Sequence, residues 1–276
     1  MTMPAAADQA DVFAANRARG RIALTVAAAD GTTRRSRIVE DGSLRVRFPG
    51  PTSRDLEAVI VNTGGGIAGG DRLDVSVAVG EGARLVVTTA AAEKIYRSLG
   101  PDAAIHLELS VQANGSLLWL PQETILFDRA RLARNIVVEL AEKATLVLAE
   151  ALVFGRAAMA ETVRRGHLFD RWRVRRNGRL VFAETVRLGE AIGETLREPA
   201  VAAGHAAVAT LFMCPADAAR IAAVRERAKW QGEVALSAWN GFAVARFVAA
   251  AGAALRADLA AALTAFGVPL PRLWLN

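Results

Sequence analysis

The chain has 276 residues, 53% of them hydrophobic, and a net charge of +6 carried almost wholly by arginine. That apolar content supplies a sizeable core, the length permits one large or two modest domains, and no Pro/Ser-rich linker or low-complexity tract divides the chain. The lone cysteine, Cys214, excludes an internal disulfide and fits a reducing, cytoplasmic setting, and His106, His167 and His205 stand too far apart for a zinc motif.

Residues 1–18 are Ala-rich with scattered charge and are expected to be loose; they carry no apolar core of a signal peptide. The remainder, 19–276, is read as a single domain. Arginines concentrate at 34–54 and 164–179, but they alternate with apolar residues and with acids such as Glu40, Asp55 and Asp170. A solvated sheet face or an acidic protein partner fits this pattern as well as nucleic acid does, and no nucleic-acid-binding motif is present.

The stretch from Val59 to Asp71 organises the chain: an apolar run ends in five glycines between Gly64 and Gly70, followed by an acid. Gly64, Gly66 and Gly69 formally fit a dinucleotide fingerprint, and a nucleotide-binding enzyme using Gly64–Gly70 is the alternative reading. That fingerprint needs a helix after the glycines. Leu73, Val75, Val77 and Val79 alternate with smaller or polar residues instead, which predicts a strand and a strand–turn–strand corner.

From Leu73 to Glu184 a unit recurs, made of an alternating strand, a short turn and a more apolar strand. The copies are Leu73–Val79 with Arg84–Thr89, Ile105–Val111 with Ser116–Leu120, Asn135–Leu140 with Thr145–Glu150, and Leu168–Val174 with Arg179–Glu184. Leu85, Leu117, Leu146 and Leu180 mark the copies at spacings of 32, 29 and 34 residues, which suggests stacked layers of strands. Asn177-Gly178 is a hairpin signal; a regular register would put Arg171 opposite Glu184, and Trp172 and Val174 against Ala183 and Val181. Even offsets from the leucines share a face, so Thr89 and Glu150 fall on the apolar side. A carboxylate there needs a partner, a proton or water. A salt bridge is the favoured reading for Glu184, whereas for Glu150 a structural and a functional role stand level.

Residues 199–216 lack charge, but Gly204, His205 and the flanking prolines predict a buried strand and loop, not a membrane span. Residues 216–230 read as a helix, Glu233–Trp239 and Phe242–Val248 as strands joined at Asn240-Gly241, and Leu255–Phe266 as a last helix. The expected architecture is mainly β: a β-helix-like body of two packed sheets with two helices in the C-terminal third.

Gly65–Leu73, Thr88-Thr89 with Lys94–Ser98, Leu120–Asp128, and Glu150 with Gly155-Arg156 resemble, in order and spacing, the urease accessory protein UreD (UreH) family. The resemblance runs from about Arg21 to the C-terminus; Phe154, Ala160 and Ala90-Ala91 depart from the family pattern. It implies a non-catalytic maturation factor for a nickel enzyme, which binds apo-urease and UreF, with the GTPase UreG recruited through UreF. It implies neither a stably bound cofactor nor a stable metal site, and no nucleic-acid or membrane partner; nickel is in transit through an internal polar passage. Carried to this chain, the passage candidates are Asp71, Thr89, Glu123, Asp128 and Glu150. Candidate partner contacts are Lys94, Tyr96, Arg97 and Arg156. For Asp71 a turn cap is the competing role, and for Glu123 and Asp128 simple solvation is.

Overall fold

In a computed structural model, residues 17–50, 55–227 and 229–275 are described. The expectation of a loose N-terminal segment therefore falls, except for Arg17 and Ala18, outside the described residues, as does Arg54.

The period-two stretches form two long sheets that face each other. The first is built from β1 (Arg19–Ala29), β2 (Thr32–Gly42), β5 (Arg72–Val79), β8 (Ala103–Val111), β11 (Arg131–Leu140), β13 (His167–Arg176) and β14 (Arg179–Leu188). Its seven strands run in the order β14-β13-β11-β8-β5-β1-β2. The second contains β3 (Leu44–Arg47), β4 (Leu56–Asn62), β6 (Arg84–Thr89), β9 (Ser116–Trp119), β12 (Thr145–Phe154), β15 (Ala207–Cys214), β16 (Glu233–Trp239) and β17 (Phe242–Ala249). Its order is β16-β17-β15-β12-β9-β6-β4-β3. Each of the first three recurring units is one turn of a coil, because its first strand lies in one sheet and its second in the other.

Successive turns stack in parallel and in register. In the first sheet Val75 pairs with Leu107, Leu107 with Ile136 and Ile136 with Trp172. In the second, Leu85 pairs with Leu117 and Leu117 with Leu146. Side chains of one type thus form columns through the core, and all three of these marker leucines are buried. A third, short wall closes each turn through β7 (Glu93–Ile95) and β10 (Thr124–Leu126). There Ile67 bridges to Ile95, Ile95 pairs with Leu126, and Leu126 with Phe154. The glycine corner, residues 63–70, feeds this wall, and the next element in the chain is β5, a strand.

The stacking ends at the fourth unit. β14 turns back antiparallel onto β13 at Asn177-Gly178 and stays in the first sheet. The regular register is corrected here: a bulge between Val174 and Arg175 leaves Val181 unpaired, so Trp172 opposes Glu184, Arg171 opposes Thr185 and Val174 opposes Phe182. One inserted residue re-aims the rest of the strand. Leu180, before the shift, is 47% exposed and marks no core layer, whereas Phe182 is buried.

The second sheet continues antiparallel through β15, β17 and β16. The short helix α1 (Ile192–Arg197) precedes this part of the chain. Its six residues are too few to show an apolar period in sequence. The two expected helices, α2 (Ala218–Arg227) and α3 (Gly252–Ala265), contribute Ile221, Val224, Leu255, Leu259 and Leu263 to a second core on the outer face of that sheet. No helix among the described residues is long and apolar enough to cross a membrane.

At Gly42, where the chain passes from β2 to β3, φ is +60° and an added Cβ would stand 1.7 Å from the backbone oxygen of Arg19. At Gly31 φ is +72° but the space is open. Gly42→Ala is expected to lower stability by roughly 3 kcal/mol, from strain plus overpacking. Gly31→Ala should cost about 1 kcal/mol, from the left-handed conformation alone. Urea unfolding of the two variants checks the difference.

Candidate functional site

Inward-facing positions of the stacked strands should all be apolar, yet a line of polar side chains interrupts them. It begins at a cavity of about 80 Å³ between the sheets, lined among others by Thr89, Glu93, Gln122, Thr124, Arg134 and Glu150. That volume has room for a few waters, and its walls offer polar partners. Thr89 ends β6, and its hydroxyl accepts from the Gln122 amide at 2.9 Å, which fixes the start of the third wall. Glu93 is half-buried and accepts from Asn62 Nδ2 at 3.0 Å. Burial pushes the Glu93 carboxyl above the usual range, and the Asn62 bond only partly opposes this.

At the far side of the cavity lies a buried charge network that joins the two sheets. Arg134 on β11 pairs through Nη1 with Glu150 of β12. Its Nε and Nη2 hold Asp170 of β13 at 3.1 and 2.5 Å. Trp119 Nε1 donates to Glu150 at 2.9 Å, and Trp172 Nε1 donates to Asp170 at 3.2 Å. Arg134, Glu150 and Asp170 are each less than a tenth exposed. Burial raises the Glu150 pKa although Arg134 pulls the other way. Burial also draws the Arg134 pKa down, but the two carboxylates outweigh it and the guanidinium is held in its charged form.

The line continues to the end of the coil. Glu150 pairs in register with Thr210, and Thr210 with Arg246. Arg246 donates to the Thr210 hydroxyl at 2.6 Å and forms a bidentate pair with Glu184, as the sequence favoured for that acid. Arg246 is 45% exposed, so the line reaches solvent. Of the passage candidates, Thr89 and Glu150 are thus brought together around one cavity. Glu93, Asp170 and Arg134 join them without having been singled out. The signal available for Asp170 and Arg134 was their parity on β13 and β11, where each shares a face with buried leucines.

The other candidates stand elsewhere. Asp71 is buried in the glycine corner, where its carboxylate accepts from the Ala68 amide at 2.7 Å and the Ala18 amide at 2.8 Å; it caps the turn. Glu123 forms a two-pronged pair with Arg256 of α3, at 2.7 and 2.5 Å, and ties that helix to the third wall. Asp128 accepts from the Arg164 and Arg165 amides, which with the Arg129 charge hold its carboxyl below the usual range despite partial burial.

The partner-contact candidates lie on the outer corner beyond the third wall. Tyr96, Arg97 and Arg156 line an open groove of about 810 Å³ there, and Lys94 is exposed on the neighbouring β7. Arg156 is paired with Glu161 at 2.8 and 2.9 Å and lies over the Phe127 ring at 4.1 Å. His106 contacts Glu108 and Asn135, and His167 contacts Asp102, all on or beside the first sheet. Among the described residues, no group of three or more His, Cys, Asp or Glu is placed to hold a metal ion.

A family model described as "UreD urease accessory protein" matches residues 18–275. The chain is 57% identical over 269 residues to a protein of Rhodopseudomonas palustris strain BisB18, covering 97% of each chain. It is 58% identical over 273 residues to one of strain HaA2, covering 98% of each. To one of Bradyrhizobium diazoefficiens it is 55% identical over 266 residues, covering 96% of each. All three carry the name urease accessory protein UreD.

The raised pKa of Glu93 sets the sign of a pH effect. Because its folded pKa lies above the unfolded one, its contribution to stability is fully present in acid and is lost as pH rises through the folded value. Glu93→Gln keeps the acceptor for Asn62 and removes the charge. The variant is expected to match the native chain near pH 4 and to exceed it in stability at about pH 8, as followed by urea midpoints across that range.

Proposed function

We propose that this chain, which belongs to the UreD family of urease accessory proteins, is a non-catalytic scaffold that guides nickel through its interior toward apo-urease. UreF binds it directly, and UreG, the GTPase, joins through UreF. The setting is the cytoplasm, with no nucleic acid or membrane involved. Nickel is cargo in this reading, not a resident cofactor.

The observation that carries the reading is the polar line inside a β-coil whose other inward positions are apolar. Carboxylates are expensive there, and a purely structural coil gains nothing from placing Glu93, Glu150 and Asp170 between its sheets. Scattered carboxylate and hydroxyl oxygens bind nickel more weakly than clustered imidazoles or thiolates, so they favour passage over storage.

The way Arg134 is shared suggests how Glu150 serves. Each carboxylate receives one indole N–H, but Asp170 holds two guanidinium nitrogens and Glu150 only one. Glu150 is therefore the carboxylate that can turn to an arriving cation while Arg134 stays paired. The dinucleotide alternative has no support in the corner itself: the pyrophosphate would need a helix N-terminus, and β5 stands in its place.

Glu150→Gln tests the role. The neutral side chain retains an acceptor for Trp119, and Asp170 keeps Arg134 paired, so the variant is expected to fold and to assemble with UreF and apo-urease. Nickel-dependent urease activation at limiting nickel should fall several-fold. Normal activation at equal complex occupancy would remove Glu150 from the path.

A further inference from the structure

The corner groove holds features that neither the coil nor the interior line requires. Its floor is a fixed stack: Tyr96 meets Phe127 edge-on at 5.2 Å, the Arg156 guanidinium covers Phe127, and the Tyr96 hydroxyl donates to Gly65 O at 2.9 Å. The loops that form the corner are pinned to one another. Ser98 N donates to Arg129 O, Arg129 N to Arg165 O, and Asp128 receives the Arg164 and Arg165 amides of that strap. The groove is therefore formed in advance, which lowers the ordering cost of binding.

The rim is both apolar and cationic. Tyr96, which lines the groove, is 37% exposed; Leu99, two residues along the chain from the lining residue Arg97, is 90% exposed, and Met159, three residues from the lining residue Arg156, is 67% exposed. Scattered single apolar residues are ordinary on a surface; a group beside a preformed groove marks an interface. The charges are unbalanced. Arg156 is neutralised by Glu161 and Arg131 by Asp102. Arg97, Arg164 and Arg165 make no ion pair among the described residues, and Arg129 reaches Asp128 only at 3.9 Å. Exposed arginines around an aromatic floor match carboxylates in a protein partner, with an apolar side chain seated between them.

We infer that this corner is the docking site for an acidic segment of a protein partner. The segment sets a protruding apolar side chain against Leu99, Met159 and Tyr96 and its carboxylates against Arg97 and Arg129. The inference rests on the scaffold reading only for the choice of partners in its test. Binding of purified UreF and of apo-urease is measured for the full chain and for three variants. Arg97→Glu with Arg129→Glu reverses the rim, Leu99→Ser removes the most exposed apolar group, and Arg34→Glu with Arg37→Glu makes the same charge change on β2, outside the groove.

The rim reversal and Leu99→Ser should each weaken the same partner, the reversal by about tenfold or more and with a flatter salt dependence, while the β2 control shifts affinity by less than about twofold. Leu99 is too exposed for its replacement to disturb folding, so this arm stands even if the charge reversal harms the chain. Unchanged binding of both partners by the rim and Leu99 variants overturns the docking site and leaves the scaffold reading intact. So does a rim reversal that only dissociates pairs of this chain. A native chain that binds neither partner overturns the scaffold reading, and the docking site with it.

Discussion

A guanidinium held between two sheets is the constraint on which the interior depends. Arg134 projects from one sheet, and its two carboxylate partners come from both. Removing charges of this kind from water is costly, and the cost is offset only when every donor and acceptor is met. Trp119 and Trp172 supply the remaining donors to Glu150 and Asp170, which explains why two indoles point into the same layer. The stacked coil makes this possible. Parallel register places Arg134 directly beside Asp170, and the facing strand sets Glu150 across from them. Apolar residues of similar volume often give the same fold at lower cost, and that is the ground on which the proposed function rests.

Much of the coil is legible in the sequence alone. Parallel stacking repeats one side-chain type at one level, so Leu85, Leu117 and Leu146 can be recognised as equivalent from their spacing. Turn chemistry places the reversal at Asn177-Gly178. The bulge at Val181 is not legible, because nothing in the composition of β14 distinguishes a strand with one residue too many. The short third wall escapes for a different reason: β7 and β10 are three residues each and have no period to read.

The site is legible in part, and the division is physical. Parity assigns Thr89 and Glu150 to the inside, and both border the cavity. Parity says nothing about loops, and Asp71, Glu123 and Asp128 come from loops. Their partners, the Ala18 amide, Arg256 and the amides at 164 and 165, are distant in sequence and invisible in it. Glu93 is hidden because its burial depends on the third wall. Interior and corner remain separate features: one is a polar line through the core, the other a preformed rim of arginine and exposed apolar groups.

That a cation moves through the polar cavity is the claim on which the proposed function stands. Thr124, nearly fully buried on β10, borders that cavity together with Arg134 and Glu150, takes no part in their ion pairs, and is not among the residues lining the corner groove. Thr124→Leu replaces a hydroxyl with a larger apolar group, which takes up part of the cavity's volume and removes one of the polar partners it offers to water. The decisive measurement is the rate of nickel-dependent urease activation by this variant at the same complex occupancy as the native chain. A marked fall in rate with assembly unchanged is the predicted result; an unaltered rate would show that nickel reaches urease by some route other than this interior.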